Sequence, residues 1–144
     1  MHQNDKTMRA LSWKNPFAVL MLYGKVETRT WETKYRGEVL ICASKTPYDW
    51  NTTKKIMGER QALRFLENNI AGAYNHNGMA IAVGTLFECR PMLISDEDAC
   101  FVAYQKELWC HIYVNIRPII PFKWTGSQGW RVVPKQIQES IKYI

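Results

Sequence analysis

Apolar positions along this chain follow two rhythms. In residues 9–13, 26–31, 39–43, 79–88, 108–119 and 130–133 they alternate or run on without a break, as half-buried and fully buried strands do. In residues 16–23, 54–70 and from Pro134 onward they recur at three- and four-residue spacing, the period of an amphipathic helix. The first helix has Asn15 as a cap, Pro16 at its first position, a Phe17, Leu20, Met21 face, and Gly24 where a left-handed terminator belongs. The spacing of Ile56, Leu63, Leu66 and Ile70 predicts one long helix over 54–70, ended by Gly72. The last helix carries Ile137, Ile141 and Ile144 on one face.

Among the strands, Val39 to Ala43 is apolar at every position, so it needs cover on both sides. In 79–88, Ile81, Val83 and Phe87 face one way. Ala82 and Gly84 on the other side leave room for a close neighbour, a tight bend or a ligand. In 108–119, Ile112, Val114 and Ile116 form one face, with His111, Tyr113, Asn115 and Arg117 on the other. Turns are expected at 34–37, 75–78 and 126–129, a loop at 46–53, an acidic helix start at 95–98, and a loose polar start at 1–7. Short strands with helices inserted early and late predict an α+β fold, a small β-barrel or strongly bent sheet with flanking helices. The missing βαβ alternation argues against a doubly wound parallel sheet.

Composition narrows the class. At 144 residues with 47% hydrophobic and 22% charged positions, the chain fits one domain with a real core. Neither a repeat nor a long linker divides it. The net charge of +6 admits a polyanionic partner such as RNA or DNA without requiring one. Cys42, Cys89, Cys100 and Cys110 form no Cys-x-x-Cys pair and sit mostly in apolar stretches, where a reduced thiol acts as a small hydrophobe. The start is polar rather than signal-like, and no apolar run approaches the roughly 20 residues of a membrane helix. The expectation is a reduced, soluble, cytoplasmic protein with no membrane partner.

Candidate chemistry concentrates in residues 11–45. On an extended segment Lys25, Glu27 and Arg29 share a face by the period of two. The cations suit phosphate contact, and a carboxylate can accept from a base amino group. The same three residues would equally make a structural ion pair. Trp31 is either a stacking platform for an unpaired base or a half-buried core residue, and Trp13 and Trp130 pose the same choice. Lys34, Arg36 and Lys45, with Lys14, form either a basic rim for phosphates or ordinary solvated surface. His2, His76 and His111 are scattered, and Cys110 and His111 should point to opposite faces of a strand, so no metal or cofactor is expected. No Gly-rich phosphate loop, nucleophile elbow or paired catalytic carboxylates appear.

In order along the chain, Leu11-Ser12-Trp13-Lys14-Asn15-Pro16-Phe17-Ala18, Gly24-Lys25-Val26-Glu27-Thr28-Arg29-Thr30-Trp31, Tyr35-Arg36-Gly37-Glu38 running through Lys45, Ala82-Val83-Gly84-Thr85-Leu86 and Gly126-Ser127-Gln128-Gly129-Trp130 form a pattern. It resembles the ASCH domains, a branch of the PUA-like superfamily, over nearly the whole chain. The resemblance implies a PUA-like barrel with a cleft beside the Lys/Glu/Arg segment, and RNA or modified-nucleotide binding through Lys25, Glu27, Arg29, Trp31, Lys34, Arg36 and Lys45. Some relatives are hydrolases of RNA or of acetylated cytidine, and in that alternative Lys25 and Glu27 would be the catalytic pair. A protein-binding adaptor is the third reading. One spacing departs: the family sets its lysine three residues before the acid, whereas Lys25 precedes Glu27 by two. Deacetylating relatives carry a threonine nucleophile where Glu27 stands.

Overall fold

Residues 39–43 are the axis of the fold, and their continuous apolar character explains why. In the computed structural model, which describes residues 7–126 and 128–144, they belong to the third of six strands. The strands are β1 (Arg9–Trp13), β2 (Glu27–Arg29), β3 (Gly37–Ala43), β4 (Met79–Pro91), β5 (Trp109–Lys123) and β6 (Arg131–Val132). The helices are α1 (Phe17–Met21), α2 (Trp50–Met57), α3 (Glu59–Asn68), α4 (Glu97–Cys100) and α5 (Lys135–Ser140). The strands join in the order β2-β5-β4-β3-β1-β6 and curl into a half-barrel. This is the α+β class that the two rhythms predict. The loose start expected at 1–7 lies outside the described residues except for Thr7, as do His2 and Ser127 of the 126–129 turn.

Both faces of β3 are covered. Val39, Ile41 and Ala43 pack with Leu11, Trp13, Leu20, Met21, Met57 and Phe65 under the helices, while Leu40 and Cys42 pack with Ala10, Ala80, Val83, Ile119 and Val133 on the other side. Each fully buried Leu, Ile or Val contributes about 1.5–3 kcal/mol. Ile137 and Ile141 close the second layer from outside, but the expected three-residue helical face is cut short: α5 ends at Ser140, and Ile144 is 82% exposed. Cys42, Cys100 and Cys110 are buried free thiols. No described helix is long and apolar enough to cross a membrane.

β1 and β3 run parallel, from Arg9↔Val39 to Trp13↔Ala43, whereas every other neighbouring pair is antiparallel. Adjacent parallel strands need a crossover, since a tight turn cannot join them. Here the crossover is residues 14–36, and it carries α1 and β2. The most informative stretch of the sequence is therefore an excursion between two neighbouring strands.

Three local expectations are corrected. The helix predicted over 54–70 is two helices. Asp49 caps the first by accepting from Thr52 N at 2.8 Å. Gly58 at φ 81° ends it and opens the second, and a Cβ there would stand 3.1 Å from Ala103 Cβ. The break resets the helical phase, so Ala62 and Phe65 face the core while Leu63 and Leu66 are each 57% exposed. The first helix is shorter than 16–23, with Pro16 before it, and Asn15 Oδ1 accepts from Val19 N at 3.1 Å.

In β5 the expected alternation holds only as far as Val114. Val83 pairs with Arg117 but Thr85 pairs with Val114, so β5 holds an extra residue, and Asn115 takes φ 55°. Before the bulge His111 and Tyr113 are buried and Val114 is exposed, on opposite faces as expected; past it the pattern is shifted, and Ile116 comes to the same side as Tyr113, beside Gly84. Gly84 sits opposite this irregularity. A Cβ on it would meet Ile116 Cγ1 at 3.0 Å and Ile41 and Tyr113 at 3.4 Å, so its smallness serves a close neighbour and not a ligand.

Candidate functional site

The backbone of residues 25–29 is pinned at several points. Lys25 N donates to Leu20 O at 3.2 Å, at the end of α1, and Val26 N donates to Ala99 O at 2.9 Å. β2 then pairs with β5 through Glu27↔His111, Thr28↔Cys110 and Arg29↔Trp109. With the chain extended and anchored, Lys25, Glu27 and Arg29 converge as the period of two requires.

Lys25 Nζ donates to Glu27 Oε1 at 3.1 Å and to Val26 O at 2.8 Å, and it lies 5.4 Å from the Phe17 ring centroid. Arg29 Nε stands 2.8 Å from Glu27 Oε2, although its N–H is not aimed at that oxygen, so the contact is ionic. Arg29 Nη2 donates to Ser12 O at 3.1 Å. Its guanidinium lies 5.0 Å from the Trp13 ring and 5.8 Å from the Trp31 ring. The side chains of Lys25 and Glu27 are 1% and 7% exposed, against 21% for Arg29. Burial by itself raises the Glu27 carboxyl, but the charges of Lys25 and Arg29, helped by the hydrogen bonds from Lys25 and the Thr28 backbone, hold it below the ordinary range. Glu27 is thus an anion with both oxygens engaged.

Behind the triad is an aromatic wall. Trp31 meets His111 edge-on at 5.0 Å and Trp130 at 6.1 Å, and Trp13 meets Tyr113 at 5.9 Å. His111 Nε2 lies 2.8 Å from Trp31 O, and burial pushes the imidazole pKa down, so His111 is neutral and donates to that carbonyl. Burial pushes the Tyr113 hydroxyl up. Trp13 Nε1, Arg29 Nε, His111 Nδ1, Tyr113 Oη and Trp130 Nε1 are buried and have no hydrogen-bond partner among the described residues. Only two further described side-chain atoms share that condition, so unsatisfied polarity is concentrated here.

The triad opens onto a cleft of about 1590 Å³. Lys25, Glu27, Arg29 and Trp31 line its inner, more buried end, and Trp13, under the Arg29 guanidinium, joins that end to the ends of the strands. Trp31 is half-buried against the core, as one reading of it expects, and also forms part of the cleft wall. Lys14 and Lys45, both exposed, line the outer end, and so do Lys123, Trp124, Tyr48 and Gln128, which sequence reasoning passed over. Lys34 and Arg36 do not line it. Both are exposed, and Arg36 Nη1 donates to Thr33 O and Tyr35 O.

Five cations and one carboxylate line the cleft, which accounts for four of the chain's six excess positive charges. Among the described residues no group of three His, Cys, Asp or Glu side chains is placed to hold a metal ion. Comparison with protein-family models gives no match, and neither does comparison with curated proteins. The functional reading therefore rests on the cleft itself.

Proposed function

We propose that this chain is an RNA-binding or modified-nucleotide-binding domain of the ASCH, PUA-like kind, with the ligand held in the cleft beside Arg29 and Trp31. The observation that carries the reading is the cleft's charge: five cations against one carboxylate, with aromatic side chains between them. Phosphates bind to such cations by displacing counterions, and unpaired bases stack on exposed indole faces. The half-barrel with flanking helices is compatible with the ASCH pattern, and the Lys/Glu/Arg segment lies at a concave surface, as that pattern implies.

Binding is favoured over hydrolysis by the state of Glu27. A general acid or base works best with a pKa near the working pH. The Glu27 carboxyl is held low, and both its oxygens face cations. Its role in this reading is to fix Lys25 and Arg29 in place.

The test is a fluorescence-anisotropy titration with short labelled RNAs at about 50 and 200 mM salt. Binding that weakens at the higher salt and is reduced by Arg29→Ala and by Lys45→Glu is expected. Absence of binding at low salt, or affinity indifferent to both substitutions, would overturn the reading.

A further inference from the structure

The outer end of the cleft has an order that the sequence does not display. Four neighbouring strands terminate there. Trp13, the last residue of β1, pairs with Ala43, the last of β3, and Met79, the first of β4, pairs with Lys123, the last of β5. Three backbone bonds stitch these ends together: Ser44 N to Trp13 O at 2.8 Å, Gly78 N to Ala43 O at 2.8 Å, and Trp124 N to Gly78 O at 3.0 Å. Lys14 follows β1, Lys45 follows β3, and Lys123 closes β5. The three lysines consequently stand in a row across the strand ends, with the β4 end between Lys45 and Lys123.

At about 4.8 Å between neighbouring strands, that row spans roughly 14 Å. All three lysines are exposed and line the cleft, and none forms a salt bridge among the described residues. Trp124 lies directly beyond Lys123, half-buried and in the cleft wall, with the Arg131 guanidinium 5.5 Å from its ring centroid. A row of cations without a described acidic partner, with Lys14 Nζ 5.2 Å from the Tyr48 ring centroid, Trp124 beyond Lys123 and Trp31 elsewhere in the same cleft wall, suits a chain of phosphates better than a single one. Phosphates follow one another by about 3.4 Å along a stacked strand and by more when it is stretched, so the row matches some two to four nucleotide steps. The cleft also exceeds the roughly 300–1,000 Å³ typical of a small-molecule pocket.

We infer that Lys14, Lys45 and Lys123 form a backbone track ending on Trp124, and that the cleft takes a single-stranded segment of at least three nucleotides, not a free nucleoside. This rests on the nucleotide-binding reading above and narrows it. One base lies against Trp31 and Arg29, the phosphates run along the lysines, and a later base stacks on Trp124. A duplex keeps its bases stacked on one another and has none to offer either platform.

Calorimetric and anisotropy titrations of the whole chain with hexauridylate, with uridine monophosphate and with an annealed RNA duplex test this. Hexauridylate is expected to bind at least tenfold more tightly than the monophosphate or the duplex. The slope of log affinity against log salt should be about −2, from three contacts at roughly −0.7 each. Lys123→Glu and Trp124→Ala should each weaken hexauridylate about tenfold or more and leave the monophosphate within about twofold. If Trp124→Ala does not fold, exposed Lys123 decides alone. A hexamer advantage below tenfold, or hexamer binding untouched by Lys123→Glu, overturns the track while the nucleotide-binding reading stands. Failure of every probe to bind at low salt overturns both.

Discussion

The two ends of the cleft are both basic, yet their charges are held in opposite ways. At the inner end Lys25, Glu27 and Arg29 are buried or nearly so, and each cation is within 3.1 Å of the same carboxylate. At the outer end Lys14, Lys45 and Lys123 stand in solvent with no acidic partner among the described residues. A buried cation that loses its partner pays the full desolvation penalty, whereas an exposed one costs the fold little. The inner end therefore couples binding to stability, and the outer end keeps them separate.

The largest effect expected is on the inner carboxylate. Glu27→Ala leaves Lys25 buried and unpaired and should lower the unfolding free energy in urea by about 3–5 kcal/mol. Replacing Lys25→Met together with Glu27→Gln should recover more than half of that loss, because the fully buried charge is gone and Arg29, which also loses its partner, is 21% exposed and keeps its bond to Ser12 O. A double variant as unstable as Glu27→Ala would mean that the ion pair itself stabilises the fold.

Acid probes the same carboxylate without mutation. Because its pKa is depressed in the folded state, the unfolded chain binds the proton more readily. The stability it contributes is fully present above the ordinary glutamate value of about 4.3 and is lost as the pH falls through the lower folded value. Urea midpoints measured downward from neutral pH should fall in that window, and the fall should be shallower in Glu27→Gln.

Next in size is Trp31→Ala, expected to weaken RNA binding by about 1–3 kcal/mol through lost stacking, read by anisotropy. The smallest stability effects belong to the rim. Lys14→Ala, Lys45→Ala and Lys123→Ala should each leave the unfolding free energy in urea within about 0.5 kcal/mol of the parent, while each reduces the salt slope by about 0.7. A rim lysine whose loss destabilised the fold would erase the distinction between the two ends.

Legibility in the sequence followed the range of the interactions involved. β1, β3 and the apolar face of α1 were readable because local period and burial agree. The convergence of Lys25, Glu27 and Arg29 was readable because three residues at spacing two on an extended chain can do little else. Gly58 was visible as a helix breaker, but the continuous spacing of Ile56, Leu63 and Leu66 masked it. The β5 bulge at Asn115 was hidden, since an extra residue in one strand is defined only against its partner. Lys123, Trp124 and Tyr48 reach the cleft from elements distant in sequence, brought together by strand order. Lys34 and Arg36 had the right composition and proximity along the chain, yet the turn that holds them faces away from the hollow.

Concentrating four of six excess charges in one concavity has a colloidal consequence. The remaining surface carries only a small positive excess, so mutual repulsion between copies depends largely on an empty cleft. Occupation by three phosphates would halve the net charge and weaken that repulsion. Light scattering should register this as a lower second virial coefficient on loading with hexauridylate, and an unchanged coefficient would mean that the repulsion originates elsewhere on the surface.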